Sequence, residues 1–148
     1  MGRRLPAAFS APRESAGHLL WHVANRWQRQ QRDALADLGL TPVQALLLAG
    51  VTWLTREGAT VTQVQLAKHT GTDPMMVSQV LRALQEKKLV KRAPVPTDPR
   101  AVAVKPTARG RKLARQAAYQ SDQAERAFFA PVGDAARVKA LLAPLAGE

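Results

Sequence analysis

The apolar residues of this 148-residue chain recur at intervals of three and four over most of its length, the spacing of one helix face. From His18 to about Leu38 this pattern predicts a first helix, and Gly39 stands where helices commonly end. Thr41 and Pro42 then offer a cap and a first turn for a second helix. The predicted inward face of that helix consists of Val43, Leu46, Leu47, Val51 and Leu54.

Two short helical patterns separated by a tight turn come next. Thr62 and Gln65 form a Thr-x-x-Gln capping pattern at the start of the third helix, which stops near Gly71. Asp73 is the predicted cap of a fourth helix, with Pro74 in its first turn. A short turn that contains a glycine between two such helices is typical of a helix-turn-helix. The predicted inward residues are Val64, Leu66, Ala67, Val77, Val80, Leu81 and Leu84.

A hairpin follows the fourth helix. Residues 89–92 and 101–104 read as two short strands, and the tip between them is stiffened by Pro94, Pro96 and Pro99. The order of these elements predicts a mostly α fold with a small β-hairpin wing. Residues 40–110 would form a winged helix-turn-helix, a shape that fits the major groove and the adjacent minor groove of DNA.

Helices are also predicted on both sides of this unit. Thr107 is the expected cap of a long fifth helix that runs to about Ala130, and a last helix is predicted from Asp134 to about Ala143. Residues 1–15 contain arginines but no continuous apolar segment, so we predict a disordered arm and not a signal peptide.

Basic residues concentrate around the hairpin. The chain has a formal net charge of +11, and residues 82–115 hold eleven Lys or Arg residues against two acidic ones, a net +9. A charge run alone can be a solvated face. Here it coincides with a shape that fits DNA grooves, which favours phosphate binding.

Composition argues against several other classes of site. The chain has no cysteine, which excludes a thiol switch and a Cys-ligated metal, and no apolar run approaches the about 18–20 residues of a membrane span. No Gly-rich phosphate loop, His-Glu-x-x-His or Gly-x-Ser-x-Gly motif occurs, so neither an enzyme nor a cofactor is predicted. His18 and His22 lack a nearby third ligand, so we predict no metal site. We expect a cytoplasmic protein.

The sequence resembles the MarR family of winged-helix transcriptional regulators from about His18 to the C-terminus. The most specific match is a D-x-R pattern, then a strand, then T-x-x-G. Lys88 occupies a place where the family often has Gly, and Pro106 one that is often Leu. The matching segments are Asp98-Pro99-Arg100, Thr107-Ala108-Arg109-Gly110, Gln65-Leu66-Ala67, the run 73–82, and the run 40–44.

The resemblance implies a single MarR-like domain over residues 16–148, in which residues 16–38 and 108–148 form a homodimer that binds a near-palindromic duplex. It also implies a repressor that a small, often aromatic, effector releases from DNA. Such a molecule would bind in a cleft between the dimer helices and the DNA-binding lobe. Candidate lining residues are Trp21, Trp27 and Trp53, with His22 and Arg26.

The exposed face of the fourth helix supplies the candidates for reading bases. Gln79 can bond adenine through two atoms, Arg82 can reach guanine or a phosphate, and Ser78 can bond either base type. Met75 can contact a thymine methyl group. The alternative interpretation is that these side chains form a solvated face.

The resemblance places Arg100 in the minor groove, where narrow A·T tracts concentrate negative potential. Asp98 is then expected to hold its guanidinium in a bidentate pair, although a surface salt bridge is the alternative. Phosphate contacts are predicted from Thr62, Gln63, Thr72 and Lys105. A second function class stays open, a basic architectural protein that binds any duplex. It would lack a polar groove-reading face.

Overall fold

The computed structural model describes residues 15–148, so residues 1–14 of the predicted arm lie outside the described residues. Ser15 caps the first helix by accepting a hydrogen bond from the His18 N–H. Helix α1 spans Ala16–Leu35 and continues as one 3₁₀ turn over Ala36–Leu38. Gly39 then takes a left-handed φ of +65°, which ends the helical segment as its position in the sequence suggested.

Five further helices and three strands complete the described fold. The helices are α2 (Pro42–Leu54), α3 (Gln63–Thr70), α4 (Pro74–Glu86), α5 (Ala108–Phe129) and α6 (Ala135–Ala146), with a 3₁₀ turn over Ala130–Val132 between the last two. The strands are β1 (Val61–Thr62), β2 (Val90–Val95) and β3 (Asp98–Pro106), in the antiparallel order β1-β3-β2. The mostly α, winged helix-turn-helix prediction is confirmed.

The hairpin is one part of a three-stranded sheet, a feature that the two-strand prediction missed. Val104 of β3 pairs with Val61 of β1 on one side and with Arg92 of β2 on the other, and it is fully buried. Two residues are too few to show the alternation that identifies a strand in a sequence. The two hairpin strands are also longer than predicted, because Pro94 and Pro99 lie within them and only Pro96–Thr97 forms the turn.

The core lies where α2, α3, α4 and the sheet meet under α5. Pro74 and the Asp73 cap fix the start of α4, so that its inward face lies against α2 and α3. The fully buried side chains are Leu35, Leu47, Leu48, Val51, Leu66, Val77, Leu81, Leu84, Leu89, Val90 and Val104.

Two residues predicted to face inward do not. Val64 is 71% exposed because it lies about 200° around α3 from the buried Leu66. Leu46 is 48% exposed because α2 turns Leu47 and Leu48 into the core. Both errors arise because the apolar residues of these helices extend beyond the face that the neighbouring elements cover.

The T-x-x-G segment, Thr107-Ala108-Arg109-Gly110, joins the chain that follows α4 to the start of α5. The Thr107 N–H donates to the Leu89 carbonyl at 2.9 Å, and the Thr107 hydroxyl donates to the Lys88 carbonyl at 2.9 Å. The same hydroxyl accepts from the Gly110 N–H at 2.9 Å. Lys88 takes the left-handed conformation, with φ +60°, at the place where the family often has Gly.

Gly110 has no room for a side chain at this junction. A Cβ on Gly110 would lie 2.0 Å from the Leu89 carbonyl oxygen, a backbone atom that already accepts a hydrogen bond from Thr107. The glycine of the motif is therefore required by the close approach of α5 to the chain that follows α4.

Among residues 15–148, no single helix is long and apolar enough to cross a membrane. Helix α1 with its 3₁₀ turn, taken together with α2, meets the length and composition test only as a pair bent by 71°.

We predict that Gly110→Ala lowers the free energy of unfolding by about 3 kcal/mol, the upper part of the usual range for overpacking, because backbone must move to admit the methyl group. Urea unfolding measures this. Gly17→Ala is the matched control, since Gly17 lies near the start of α1 with only the Ser15 hydroxyl, at 3.7 Å, near its Cβ position. The control should be neutral or slightly stabilising, and equal losses in both variants would contradict the close approach at Gly110.

Candidate nucleic-acid interface

Helix α4 presents one buried face and one exposed face. Its first turn is held by the Asp73 carboxylate, which accepts from the N–H groups of Met75 at 2.9 Å and Met76 at 3.2 Å. Val77, Leu81 and Leu84 are fully buried. The helix is therefore anchored along one side, and the other side is free to enter a groove.

The four predicted base-reading residues share that outer side of α4. Met75 is 74% exposed, Gln79 and Arg82 are exposed, and Ser78 is half-buried. Their spacing of three and four residues keeps them adjacent on the helix surface. Ser78, Gln79 and Arg82 form the polar face that a sequence-specific reader needs, with Met75 beside them, and the contacts of all four with bases remain a prediction.

The wing carries Arg100 close to its turn. Val95 pairs with Asp98 across the Pro96–Thr97 turn, and Arg100 is exposed two residues later on β3. The predicted bidentate pair with Asp98 is wrong. The Asp98 carboxylate accepts from the backbone N–H of Arg100 at 3.0 Å, so it shapes the turn and leaves the guanidinium to solvent.

The residues predicted to contact phosphates differ in whether their polar atoms already form hydrogen bonds within the protein. The Thr62 hydroxyl caps α3 through the Gln65 N–H, and the Thr72 hydroxyl lies 3.0 Å from that of Thr70. The Gln63 side-chain oxygen accepts from Arg92 at 3.2 Å, which leaves its amide N–H groups for another partner. Lys105 is exposed on β3.

Two of the eleven basic residues bond to the protein itself, which the sequence did not indicate. The Lys87 ammonium donates to the Gly39 carbonyl at 2.7 Å and to the Gln44 side-chain oxygen at 3.0 Å, which ties the end of α4 to the α1–α2 junction. Arg92 donates to Gln85 and Gln63. These partners are 7 to 48 positions away in sequence, so no local pattern could have revealed them.

A cleft of about 690 Å³ lies between α1, α2, α4 and α5. It separates the first turn of α4 from the helices outside the winged unit. The residues that line it include Trp27, Gln31, Arg32, Val43, Leu46, Met76 and Ala118.

Of the predicted lining residues, only Trp27 borders this cleft. Trp21 is 70% exposed, and His22 and Arg26 are exposed on α1. Trp53 is 57% exposed beneath the Arg56 guanidinium, which lies 3.8 Å from the centre of its ring. It borders a smaller, separate hollow of about 290 Å³ with Leu46 and His69. Helical spacing alone does not tell which face of α1 or α2 meets α5, so the assignment of Trp21, His22, Arg26 and Trp53 to an effector site stays a prediction.

Gln31 is the buried polar residue of the larger cleft. It is 8% exposed, and its side-chain nitrogen is buried without a hydrogen-bond partner among the described residues. A buried amide N–H without a partner costs about 1–3 kcal/mol. The Gln31 amide can therefore donate a hydrogen bond to an acceptor bound within the cleft.

The terminal helices leave a broad apolar surface uncovered. Phe128 and Phe129 pack on Trp27, with ring centres 5.2 and 5.9 Å from its own, so these two rings have partners within the chain. Helix α6, in contrast, has no buried residue. The large apolar side chains exposed on α1 and α6 are Leu19, Leu20, Trp21, Val23, Leu141, Leu142 and Leu145.

No group of three or more His, Asp or Glu residues within residues 15–148 lies close enough to hold a metal ion. His18 and His22 stack edge to face with ring centres 4.5 Å apart on the exposed start of α1. Without a third ligand, the arrangement gives no support for a metal centre.

The fold and this surface define a winged helix-turn-helix protein, and comparison with known proteins places it within that class. Residues 38–101 match the family model described as MarR family. The chain is 39% identical over 122 residues to the uncharacterized HTH-type transcriptional regulator YdcH of Bacillus subtilis (strain 168), a match that covers 82% of this chain and 83% of that protein. The chain belongs to the MarR family.

Two solved structures have the same fold. BpsR of Bordetella bronchiseptica, whose DNA binding is regulated by 6-hydroxynicotinic acid, is 28% identical, with a TM-score of 0.77 and coverage of 93% of both chains. A mutant MarR from E. coli, solved in complex with operator DNA, is 26% identical, with a TM-score of 0.73 and coverage of 88% of this chain and 91% of that one.

We predict that Arg100→Ala weakens binding to a preferred duplex by about 1–3 kcal/mol, the usual value of a good groove contact. Arg100 is exposed beside the turn, so its loss should leave the fold intact. Titration of labelled duplex measures the affinity, and thermal unfolding checks the fold. Arg137→Ala, on the exposed α6, removes the same charge far along the chain from the wing. Equal affinity of the two variants would mean that the wing does not contact DNA.

Proposed function

We propose that this protein is a sequence-specific double-stranded DNA-binding transcriptional regulator and not an enzyme, and that it acts in the cytoplasm as a homodimeric repressor. The observation that carries the proposal is the exposed polar face of α4 beside the basic wing. Positive charge provides attraction to any phosphate backbone, whereas hydrogen-bonding side chains on a helix in the major groove discriminate between bases.

The alternative of a non-specific architectural protein fits this surface less well. Such a protein needs charge and a route for bending DNA, but it does not need a helix that is capped, anchored along one face and polar along the other. The E. coli relative in complex with operator DNA supports the sequence-specific interpretation for the same fold.

Selection of bound duplexes from a random pool tests the proposal and predicts a difference between two variants. Gln79→Ala should change which bases are preferred, because Gln79 lies on the outer face of α4. Lys105→Ala should keep the parent's preferred sequence and weaken binding to all sites about equally. The slope of log affinity against log salt concentration should fall in magnitude by about one, because one phosphate contact is lost. A parent protein that enriches no sequence would contradict specific binding, and an unchanged preference in the Gln79 variant would remove that residue from base reading.

The uncovered apolar surface supports the dimer. We assign residues 16–38 and 108–148 to dimerisation within one domain that spans residues 16–148. An exposed patch on α6 that includes Leu141 at 67% and Leu145 at 78% exposure would be costly in water. A twofold axis would also place two copies of α4 on one side of a near-palindromic duplex, about one helical turn apart.

We predict that Leu141→Glu dissociates the dimer and abolishes specific binding together, because a buried unpaired charge opposes association. Light scattering at micromolar concentration measures the mass. Lys139→Glu, two residues away on α6 and therefore on another face, controls for the added negative charge. A parent protein that is monomeric yet binds one palindromic duplex tightly would contradict the dimer.

The cleft is our proposed site for a releasing effector. Its walls combine Trp27 and Val43 with the Gln31 amide that lacks an acceptor, and Met76 brings the first turn of α4 to its edge. This fits a small molecule with an apolar or aromatic body and an oxygen acceptor. The bacterial relative regulated by 6-hydroxynicotinic acid supports this class of ligand. A molecule seated here would alter the position of α4.

We predict that a panel of aromatic acids, beginning with 6-hydroxynicotinic acid, contains a compound that raises the melting temperature of the parent. The shift should be lost in Gln31→Leu, which keeps the volume but removes the donor. Gln116→Leu, on an exposed turn of α5, makes the same change outside the cleft. The same shift in the Gln31 variant would mean that its amide does not bind the compound.

A further inference from the structure

We infer that Arg92 is a positioning residue that fixes the wing against both helices of the helix-turn-helix, and that it does not act as a phosphate contact. The inference rests on the proposed DNA-binding function. From its charge alone, Arg92 would be counted among the residues that bind DNA phosphates.

The guanidinium of Arg92 joins three elements. Arg92 lies on β2, its Nε donates to Gln85 Oε1 near the end of α4 at 2.8 Å, and its Nη1 donates to Gln63 Oε1 in the first turn of α3 at 3.2 Å. Arg92 is half-buried. Two N–H groups of one planar fork are therefore committed to two separate helices.

An arginine is needed for this bridge. The guanidinium directs several N–H groups from one rigid plane, and it is more weakly hydrated than an ammonium group, so it tolerates partial burial. A lysine would keep the charge but offers a single nitrogen on a flexible stem, so it would not hold the two amides in the same fixed geometry. Charge and bridging can therefore be separated by one substitution.

The neighbouring cations have a different setting. Lys91 and Lys105 pair across β2 and β3, and both side chains are exposed. They face solvent, as a phosphate contact would require, whereas Arg92 faces the helices. The same strand thus places one cation toward the protein and the next toward solvent, because successive strand residues point to opposite sides.

The bridge sits where it can set the position of the whole wing. Arg92 pairs with Val104, the fully buried residue that also joins β3 to β1. Arg100 lies four residues from Val104 along β3, roughly 13 Å at the usual strand rise. A small change in the angle between β2 and α4 would produce a larger displacement at Arg100. The bridge therefore keeps the wing and α4, the recognition helix, in a fixed relative position on one duplex.

The test uses the full chain and the operator selected from the random pool. Arg92→Lys keeps the charge and removes the bridge, Gln85→Met removes one acceptor at nearly constant volume, and the double variant combines them. Lys91→Ala is the matched control, which removes an exposed charge from the same strand. Affinities are measured for the operator and for random duplex over a range of salt concentrations.

We expect Arg92→Lys and Gln85→Met each to lose about tenfold in operator affinity, the scale of a hydrogen bond to a charged group. The double variant should lose no more than the worse single variant, since both act through one bridge. Affinity for random duplex and the salt dependence should stay at parent values in Arg92→Lys. Lys91→Ala should instead weaken both duplexes and reduce the salt dependence.

Parent-like operator affinity in Arg92→Lys, or losses that add in the double variant, would overturn the positioning role while the proposed function stands. A parent protein that does not distinguish operator from random duplex would remove the proposed function and this role with it. Thermal unfolding of each variant separates a general loss of folding, which would lower binding to both duplexes, from the operator-specific loss expected here.

Discussion

The close approach of Gly110 to the Leu89 carbonyl is the contact on which the arrangement of this molecule depends. The chain leaves α4, turns through the left-handed Lys88, enters β2 and returns along β3 to Thr107, whose backbone and side chain bond to the Lys88 and Leu89 carbonyls. One junction thus joins the recognition helix, the wing and α5. Because it consists of backbone contacts and one hydroxyl, it depends on the absence of a Cβ more than on any apolar packing.

The basic residues around the wing differ in their surroundings in a way that net charge does not show. Lys87 holds the end of α4 to the α1–α2 junction, and Arg92 holds β2 to α3 and α4, whereas Arg100 and Lys105 are exposed. A DNA-binding surface needs free cations for phosphates, and it also needs its groove-reading elements in a fixed relative position. This chain uses neutral glutamine and carbonyl acceptors for the second task, so positive charge near the duplex is not neutralised.

The cleft borders the first turn of α4, next to the face that carries the candidate base-reading side chains. Met76 borders the cleft, and the neighbouring Met75 is exposed on the outer face, so adjacent residues of one turn belong to two proposed sites. A ligand that contacts Met76 therefore acts on the helix that would read bases. The unpaired Gln31 amide offers such a ligand a buried polar partner beside the apolar side chains of Trp27 and Val43.

The sequence by itself determined the helices, their caps, the wing and the polar face of α4, because these depend on local spacing and on residues such as Thr62, Asp73 and Gly71 whose preferences act within one turn. Tertiary structure decided the rest. The pairing of two-residue β1 with β3, the exposure of Val64, the turn-shaping role of Asp98, the Arg92 and Lys87 bonds and the lining of the cleft all depend on which faces meet across long sequence separations. Local periodicity shows that a helix has an apolar face, but only packing decides which part of that face another element covers.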